Sequence, residues 1–233
     1  MSDAAEKIED REANLKGIGC SRKRTEDVRF IQGKGNYVDD VKLPGMLFGD
    51  FVRSPYGHAR IKSIDTSKAL AVPGVKAVLT AADLKPLSLH YMPTLAGDVQ
   101  AVLAEEKVLF QNQEVAFVIA EDRYIAADAA ELVEVDYEEL PVLVDPFKSM
   151  APDAPVLRED LEGKTEGAHG ARKHYNHIFT WEVGEKEETD AAFDKAEVTV
   201  KELISYQRVH PSPMETCASV ASMDKIKGEL TVY

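Results

Sequence analysis

The sequence predicts an α/β (α+β) protein: a compact module built on a mixed sheet, followed by the start of a second, strand-rich domain. Three observations carry this. Between residues 28 and 148, short apolar runs rich in Val and Ile alternate with short helical patterns, each bounded by Pro, Gly, Asn or Asp. One run, Val115 to Ala120, is almost wholly apolar and is followed at once by an Asp-capped helical pattern. After residue 177 the pattern changes to strand-like stretches with a single short helix.

The elements follow in order. Residues 1–27 are charged, carry few large apolar side chains, and read as an extension. Gly33, Gly35 and Asn36 are turn residues because they tolerate positive φ. Pro44-Gly45 sets a second turn, after which strands are expected at 46–53 and 58–65. Asp65 or Thr66 can cap a short helix at 67–72, which must stop before Pro73. A β-branched strand at 75–79 leads into a helical turn at 80–84. Residues 85–105 form a long loop around His90 and Pro93, and a loop of this length usually covers a partner or a site. Strands are expected at 108–110 and 115–120, the latter central. Asp122 caps a helix whose apolar face is read as Ile125, Ala129, Leu132 and Val133. Strands return at 135–140 and 142–144. Two prolines and three glycines make 149–176 an extended linker that runs over the surface. Beyond it, strands are expected at 178–183, 198–209, 218–223 and 229–233. A helix is expected at 189–196 and a hairpin turn at 224–228. Tyr233 falls inside an apolar strand, so the second domain, 177–233, is expected to be incomplete.

Composition narrows the function. The chain has 233 residues, 44% hydrophobic and 30% charged, enough for a real core under a polar surface. Its net charge of -13 repels phosphate backbones, so nucleic acid is not an expected partner. Arg22-Lys23-Arg24 is followed directly by Glu26 and Asp27 and reads as a solvated turn. No stretch approaches the ~18 apolar residues of a membrane helix. The acidic N-terminus lacks the features of a secretory signal, and two distant cysteines, Cys20 and Cys217, fit a reducing cytoplasm.

Candidate chemistry is sparse. His169, His174 and His177 lie close together beside Glu166, and His-x-x-His spacing can serve a metal. Their Gly-rich setting, without a Cys partner or a helix, also fits solvated or capping histidines. Glu182, Glu185, Glu187, Glu188 and Asp190 could pair for acid–base work, but so dense a run reads as a solvated face, with Asp190 set against a helix dipole. Gly33-x-Gly35 lacks the third Gly and the helix that phosphate binding needs. Cys217 reads as a small buried hydrophobe rather than a reactive thiol. The stiff segment from His210 through Pro211 and Pro213 to Glu215 reads as a chain reversal or as one wall of a cleft. From the residues alone, the chain is an acidic α/β protein without a self-contained active site.

A family resemblance adds to this. Gly35-Asn36-Tyr37-Val38-Asp39-Asp40, Leu43-Pro44-Gly45-Met46-Leu47, Val52-Arg53-Ser54-Pro55 and Ala59-Arg60-Ile61 resemble the opening of molybdenum hydroxylase large subunits. The likeness continues through Pro73-Gly74-Val75, Val78 to Asp83, Val115 to Ala120, Ala127 to Val133 and Val135 to Pro141. These blocks are similar to the α/β hammerhead domain shared by xanthine dehydrogenases, aldehyde oxidases and aerobic carbon monoxide dehydrogenases. The loop Leu89 to Asp98 and the segment Val209 to Cys217 most resemble the carbon monoxide dehydrogenase branch.

The resemblance implies a hammerhead domain followed by the truncated start of a molybdopterin-binding domain. In the full-length subunit it implies molybdopterin cytosine dinucleotide with molybdenum and copper. It also implies a medium FAD subunit and a small [2Fe-2S] subunit, assembled as a dimer of heterotrimers. The reaction would oxidise carbon monoxide with water to carbon dioxide, two electrons and two protons. A cytoplasmic location, with association to the inner face of the membrane, goes with it. The family's cofactor-contacting motifs lie beyond Tyr233, so no catalytic, cofactor-binding or metal-binding residue is assigned in this chain, and none of these cofactors is expected on it alone. The alternatives are an aldehyde or N-heterocycle hydroxylase large subunit and, in another class, a standalone subunit-docking module.

Overall fold

The computed structural model describes residues 18, 24–93, 100–159, 166–167, 170–171, 176–178, 180–213 and 215–233. Two compact units are present: Gly45–Leu203, and Met1–Pro44 together with Ile204–Tyr233.

The larger unit holds two three-stranded sheets. Strands β1 (Phe48–Arg53), β2 (Ala59–Asp65) and β3 (Val75–Thr80) are followed by β4 (Lys107–Val108), β5 (Glu114–Ala120) and β6 (Glu134–Glu139). One sheet has the order β1-β5-β3 and the other β4-β2-β6. The α/β class stands, while in place of the expected mixed sheet the described residues form two sheets whose pairings are antiparallel. The reason lies in the connections. A parallel neighbour needs a helical crossover back onto the same sheet, whereas the helix after β2 delivers the chain to the other sheet.

Local signals set the element ends. The Asp65 carboxylate accepts from the Ser67 amide at 2.9 Å and opens helix α1 (Ser67–Leu70) ahead of Pro73. Gly74 then turns the chain at φ +95°, with Ile125 Cδ1 only 2.9 Å from where a β-carbon would sit. Helix α2 (Ala81–Leu84) starts with a capping box in which the Thr80 amide and hydroxyl both donate to Asp83 Oδ2, at 2.8 and 2.9 Å. Asp122 accepts from the Tyr124 amide at 2.7 Å and caps α3 (Arg123–Ala130).

The core lies where α3 and α1 cover the inner face of β1-β5-β3. Ala69, Ala116, Val118, Ala129 and Val133 are buried there, and Val52, Val75 and Val78 pack against them. Ile64 and Val135 belong both to this cluster and to the one around Ala59, Ala104, Val108 and Val115, so the two sheets share one apolar interior. On α3 the buried face is Ala126 and Ala129, continued by Val133, while Leu132 is exposed. The helix ends at Ala130, and the turn after it points Leu132 outward.

On the other face of the sheet, the Phe117 ring lies across Gly49 and packs on Phe51, with ring centroids 4.6 Å apart. The 85–105 loop is partly core, since Leu103 and Ala104 are buried and the Ala104 amide donates to the Glu114 carbonyl at 2.7 Å.

Other expectations fail. Val142 and Val144 are exposed and form no strand. The linker is not simply extended: its first part is a series of turns at 145–154, and Asn176 clamps it. That side chain accepts from the Leu157 amide and donates to the Ser149 and Pro155 carbonyls, all at 2.9 Å. Among the described residues of 178–183 and 198–209 there is no strand. Both stretches have strand-forming side chains without a neighbouring strand to pair with.

A short hairpin, β7 (Glu166–Gly167) with β8 (Gly170–Ala171), precedes helix α4 (Lys186–Lys195). In the smaller unit, a short helix at Asp27–Ile31 and a 3-10 turn at Val38–Asp40 lie in the N-terminal part. Strands β9 (Ala221–Asp224) and β10 (Glu229–Val232) form its hairpin, closed by Gly228 at φ +71°. The proposed extension falls outside the described residues up to residue 23, apart from Ile18.

Candidate functional site

A cleft of about 220 Å³ lies beside β4 in the larger unit, lined by Tyr91, Lys107, Phe110, Gln113, Arg158 and Glu159 among others. Its walls are built from backbone pairing. Tyr91 bridges Ala101, and the Met92 and Val102 amides donate to the Gln100 and His90 carbonyls at 2.8 and 2.9 Å. Gln113 is buried because its Oε1 accepts from the Leu109 amide at 2.6 Å, which closes the turn into β5.

Several charges at the cleft are paired. Glu159 lies 3.4 Å from Lys107 Nζ and 3.9 Å from Arg60, while Lys85 pairs with Glu105 at 2.6 Å. Arg158 is buried at its rim. Sequence reasoning missed Arg158 and Glu159 because they sit in the linker, and only long-range packing brings them to β4.

The sequence candidates are scattered. His169 and His174 lie outside the described residues, as does the Glu166 side chain. His177 is 3.1 Å from the Thr180 hydroxyl through Nε2. Among the described residues, no three His, Cys, Asp or Glu side chains are grouped to hold a metal. The acidic cluster is an exposed face of α4 and its approach. The helix begins at Lys186, so Glu187 and Glu188 meet its dipole, while Asp190 pairs with Lys186 one turn away. Cys217 is exposed rather than buried, because its loop has nothing packed over it.

The double-proline loop is closed by a local bond and tied at one end to another element. The Ser212 amide donates to His210 Nδ1 at 3.0 Å, and Glu215 Oε1 accepts from the Val38 amide at 3.0 Å, which fixes the loop to the 3-10 turn. No described residue of this smaller unit is buried. The described residues of this unit therefore do not make a walled cradle for a molybdenum cofactor.

Among buried polar groups, His58 Nδ1 donates to the Pro141 carbonyl at 2.7 Å, and the Leu140 amide returns a bond to the His58 carbonyl at 3.0 Å. His58 thus ties β2 to the end of β6, and its Nε2 is buried without a partner. Burial pushes the Tyr137 phenol above its ordinary value, partly offset by a hydrogen bond with Ser54.

Comparison with known proteins gives this scaffold a lineage. Residues 32–141 match the family model described as aldehyde oxidase and xanthine dehydrogenase, a/b hammerhead domain. Residues 169–233 match the molybdopterin cofactor-binding domain. The chain is 78% identical to a carbon monoxide dehydrogenase large chain of Afipia carboxidovorans over 96% of its own length. It is 64% identical, over its whole length, to the large chain of Hydrogenophaga pseudoflava. It spans 28% and 29% of those two relatives. Among solved structures, reconstituted CO dehydrogenase from Oligotropha carboxidovorans aligns with TM-score 0.80 and 78% identity, covering 96% of this chain and 28% of that one. Quinoline 2-oxidoreductase from Pseudomonas putida 86 aligns with TM-score 0.66 and 32% identity, covering 94% and 27%. With both domain matches in sequence and the similarity running through nearly every residue, the chain belongs to the aldehyde oxidase and xanthine dehydrogenase family, as a hammerhead domain followed by the start of a molybdopterin-binding domain.

Proposed function

We propose that this chain is the N-terminal part of the large subunit of a molybdenum-containing carbon monoxide dehydrogenase. The observation that carries this reading is the 78% and 64% identity to two carbon monoxide dehydrogenase large chains. Identity to a nicotine 6-hydroxylase large subunit from Paenarthrobacter nicotinovorans is 34%.

The whole enzyme would oxidise carbon monoxide with water to carbon dioxide, releasing two electrons and two protons. The full-length subunit would hold molybdopterin cytosine dinucleotide with molybdenum and copper. That group would polarise the substrate and supply an activated oxygen. A medium FAD subunit and a small [2Fe-2S] subunit would carry the electrons away, in a dimer of heterotrimers located in the cytoplasm.

Within this chain, residues 28–148 are the hammerhead, 149–176 the connection and 177–233 the opening of the cofactor domain. None of its residues is assigned a catalytic, cofactor or metal role. No helix among the described residues is long and apolar enough to cross a membrane.

The test is dye reduction by the full-length subunit assembled with its partner subunits. Carbon monoxide should drive it, and copper should accompany molybdenum. Turnover of an aldehyde or N-heterocycle with none on carbon monoxide would move the protein to the other branch of the family.

A further inference from the structure

We propose that the N-terminal segment 27–41, contiguous with the hammerhead in sequence, braces the second domain, and that Glu215 is the positioning residue that locks it there. This goes beyond the proposed function and holds whichever substrate the whole protein oxidises.

The segment is folded so as to present one backbone donor. Its helix, Asp27–Ile31, ends in a turn through Gly33 at φ +68°, where the Lys34 amide donates to the Arg29 carbonyl at 2.8 Å. The Phe30 and Tyr37 rings then stack with centroids 5.6 Å apart, and Phe30 lies against Gly35. Tyr37 caps the 3-10 turn Val38–Asp40, with Asp40 Oδ2 accepting from the Tyr37 amide at 3.0 Å. Inside the turn, the Asp40 and Val41 amides donate to the Tyr37 and Val38 carbonyls at 3.0 and 3.1 Å. Val38 is the first residue of the turn, and the first donors of a helical turn have no carbonyl within it. Glu215 Oε1, 177 positions away in sequence, accepts from that amide at 3.0 Å.

The other side of the lock is equally constrained. Glu215 follows Pro211 and Pro213, whose rings fix φ. Between them Ser212 takes φ +46°, and its amide donates to His210 Nδ1 at 3.0 Å. Just beyond the lock, Val220 and Tyr233 exchange backbone bonds at 3.2 and 2.9 Å and extend the β9–β10 hairpin. The loop that carries Glu215 thus runs directly into the hairpin.

The family match to the hammerhead begins at residue 32, within the segment. The fold divides the chain differently: residues 1–44 share a compact unit with 204–233, and Gly45–Leu203 forms the other. The smaller unit is therefore made from two pieces with the rest of the chain between them. Bringing such distant pieces together costs loop-closure entropy, which contacts like the Glu215 bond offset. Residues 204–233 lie within the match to the molybdopterin cofactor-binding domain, so that is the domain the segment braces.

Hydrogen–deuterium exchange of 38–42 and 210–217 in the full-length large subunit reads the lock from both sides. Glu215→Ala should speed both segments about tenfold. Glu215→Gln keeps an acceptor oxygen without the charge and should speed them about threefold. Val38→Pro removes the donor alone, since proline suits the first position of a helical turn and Tyr37 already has the extended backbone that precedes proline. It should speed 210–217 about tenfold, and Glu215→Ala should add nothing in that background. Removing residues 1–41 should speed 210–217 by the same factor and leave the Ala116 and Val118 amides of β5 unchanged. Unchanged exchange of 210–217 in Val38→Pro overturns the lock, as does an undiminished effect of Glu215→Ala without the Val38 donor. Faster exchange at Ala116 and Val118 with 210–217 unaffected by the loss of 1–41 overturns the brace and returns the segment to the hammerhead. None of these readings needs turnover of carbon monoxide, so they stand or fall apart from the proposed substrate.

Discussion

Substituting Gly49 by Ala probes the one place where the sheet depends on a missing side chain. A β-carbon there would lie 2.0 Å from Phe117 Cζ and 2.7 and 2.8 Å from its ring neighbours. The ring cannot yield freely, because it already packs on Phe51 at 4.6 Å. Overpacking of this kind costs ~1–3 kcal/mol, taken here as about 2 kcal/mol. With Phe117 already reduced to Ala, the clash is gone, and replacing a strand Gly should instead stabilise by ~0.5–1 kcal/mol. The two substitutions should therefore couple by about 2.5 kcal/mol rather than add. Exchange of the Ala116 and Val118 amides in the central strand reads this out. Gly49→Ala alone should speed their exchange about 30-fold, since roughly 1.4 kcal/mol is tenfold. In the Phe117→Ala background it should slow exchange slightly. Equal effects of Gly49→Ala in both backgrounds would refute the packing argument.

Three further outcomes follow from the element ends. Asp122→Ala removes the cap on the Tyr124 amide and should cost ~1 kcal/mol, seen as faster exchange across α3 with little change in β6. Gly74→Ala forces a left-handed backbone onto Ala and meets Ile125; a loss of ~1–3 kcal/mol should appear as a lower midpoint in urea. Asp83→Asn tests the capping box through pH. The Thr80 amide and hydroxyl hold the Asp83 carboxyl below its ordinary value of 3.8, so its contribution is present above that pH and is lost as pH falls through the lower folded value. The difference between wild type and Asp83→Asn should therefore be constant near neutrality and close below about pH 4; a gap unchanged at pH 2 would contradict the cap.

The hammerhead was legible in the sequence wherever a local signal ends an element. Pro44-Gly45, Asp65, Pro73-Gly74, Thr80 with Asp83, and Asp122 each act within four residues, and the strands and helices between them lie where expected. What failed depends on distant partners. Val142-Leu143-Val144 and residues 198–209 have strand-forming side chains, but a strand exists only when another pairs with it. The Gly49–Phe117 contact requires the register of β1 against β5, and the Asn176 clamp requires the linker to fold back, neither of which periodicity encodes. The candidate cleft was missed for the same reason, since its charged rim comes from β4 and from linker residues about fifty positions away.

The hammerhead's buried polar groups explain why a motif search there finds so little chemistry. Ser54 is buried, yet its hydroxyl bonds to the backbone of Tyr56. Its own amide and carbonyl are exchanged with Gln113 and Asn112, at 2.9 and 2.8 Å. Gln113 serves the Leu109 amide, and His58 serves the Pro141 carbonyl. Each of these side chains sits where a strand ends and the backbone would otherwise be left unsatisfied inside the protein, at a cost of ~1–3 kcal/mol per group. Bonds of this kind hold Ser54 and Gln113 each in one rotamer with the bonding atom occupied, while His58 is tied through Nδ1 and keeps Nε2 unpaired. The polar side chains of this domain therefore fasten its strand ends to neighbouring backbone: Ser54 where β1 meets the turn into β5, Gln113 in the turn after β4, and His58 between β2 and the end of β6.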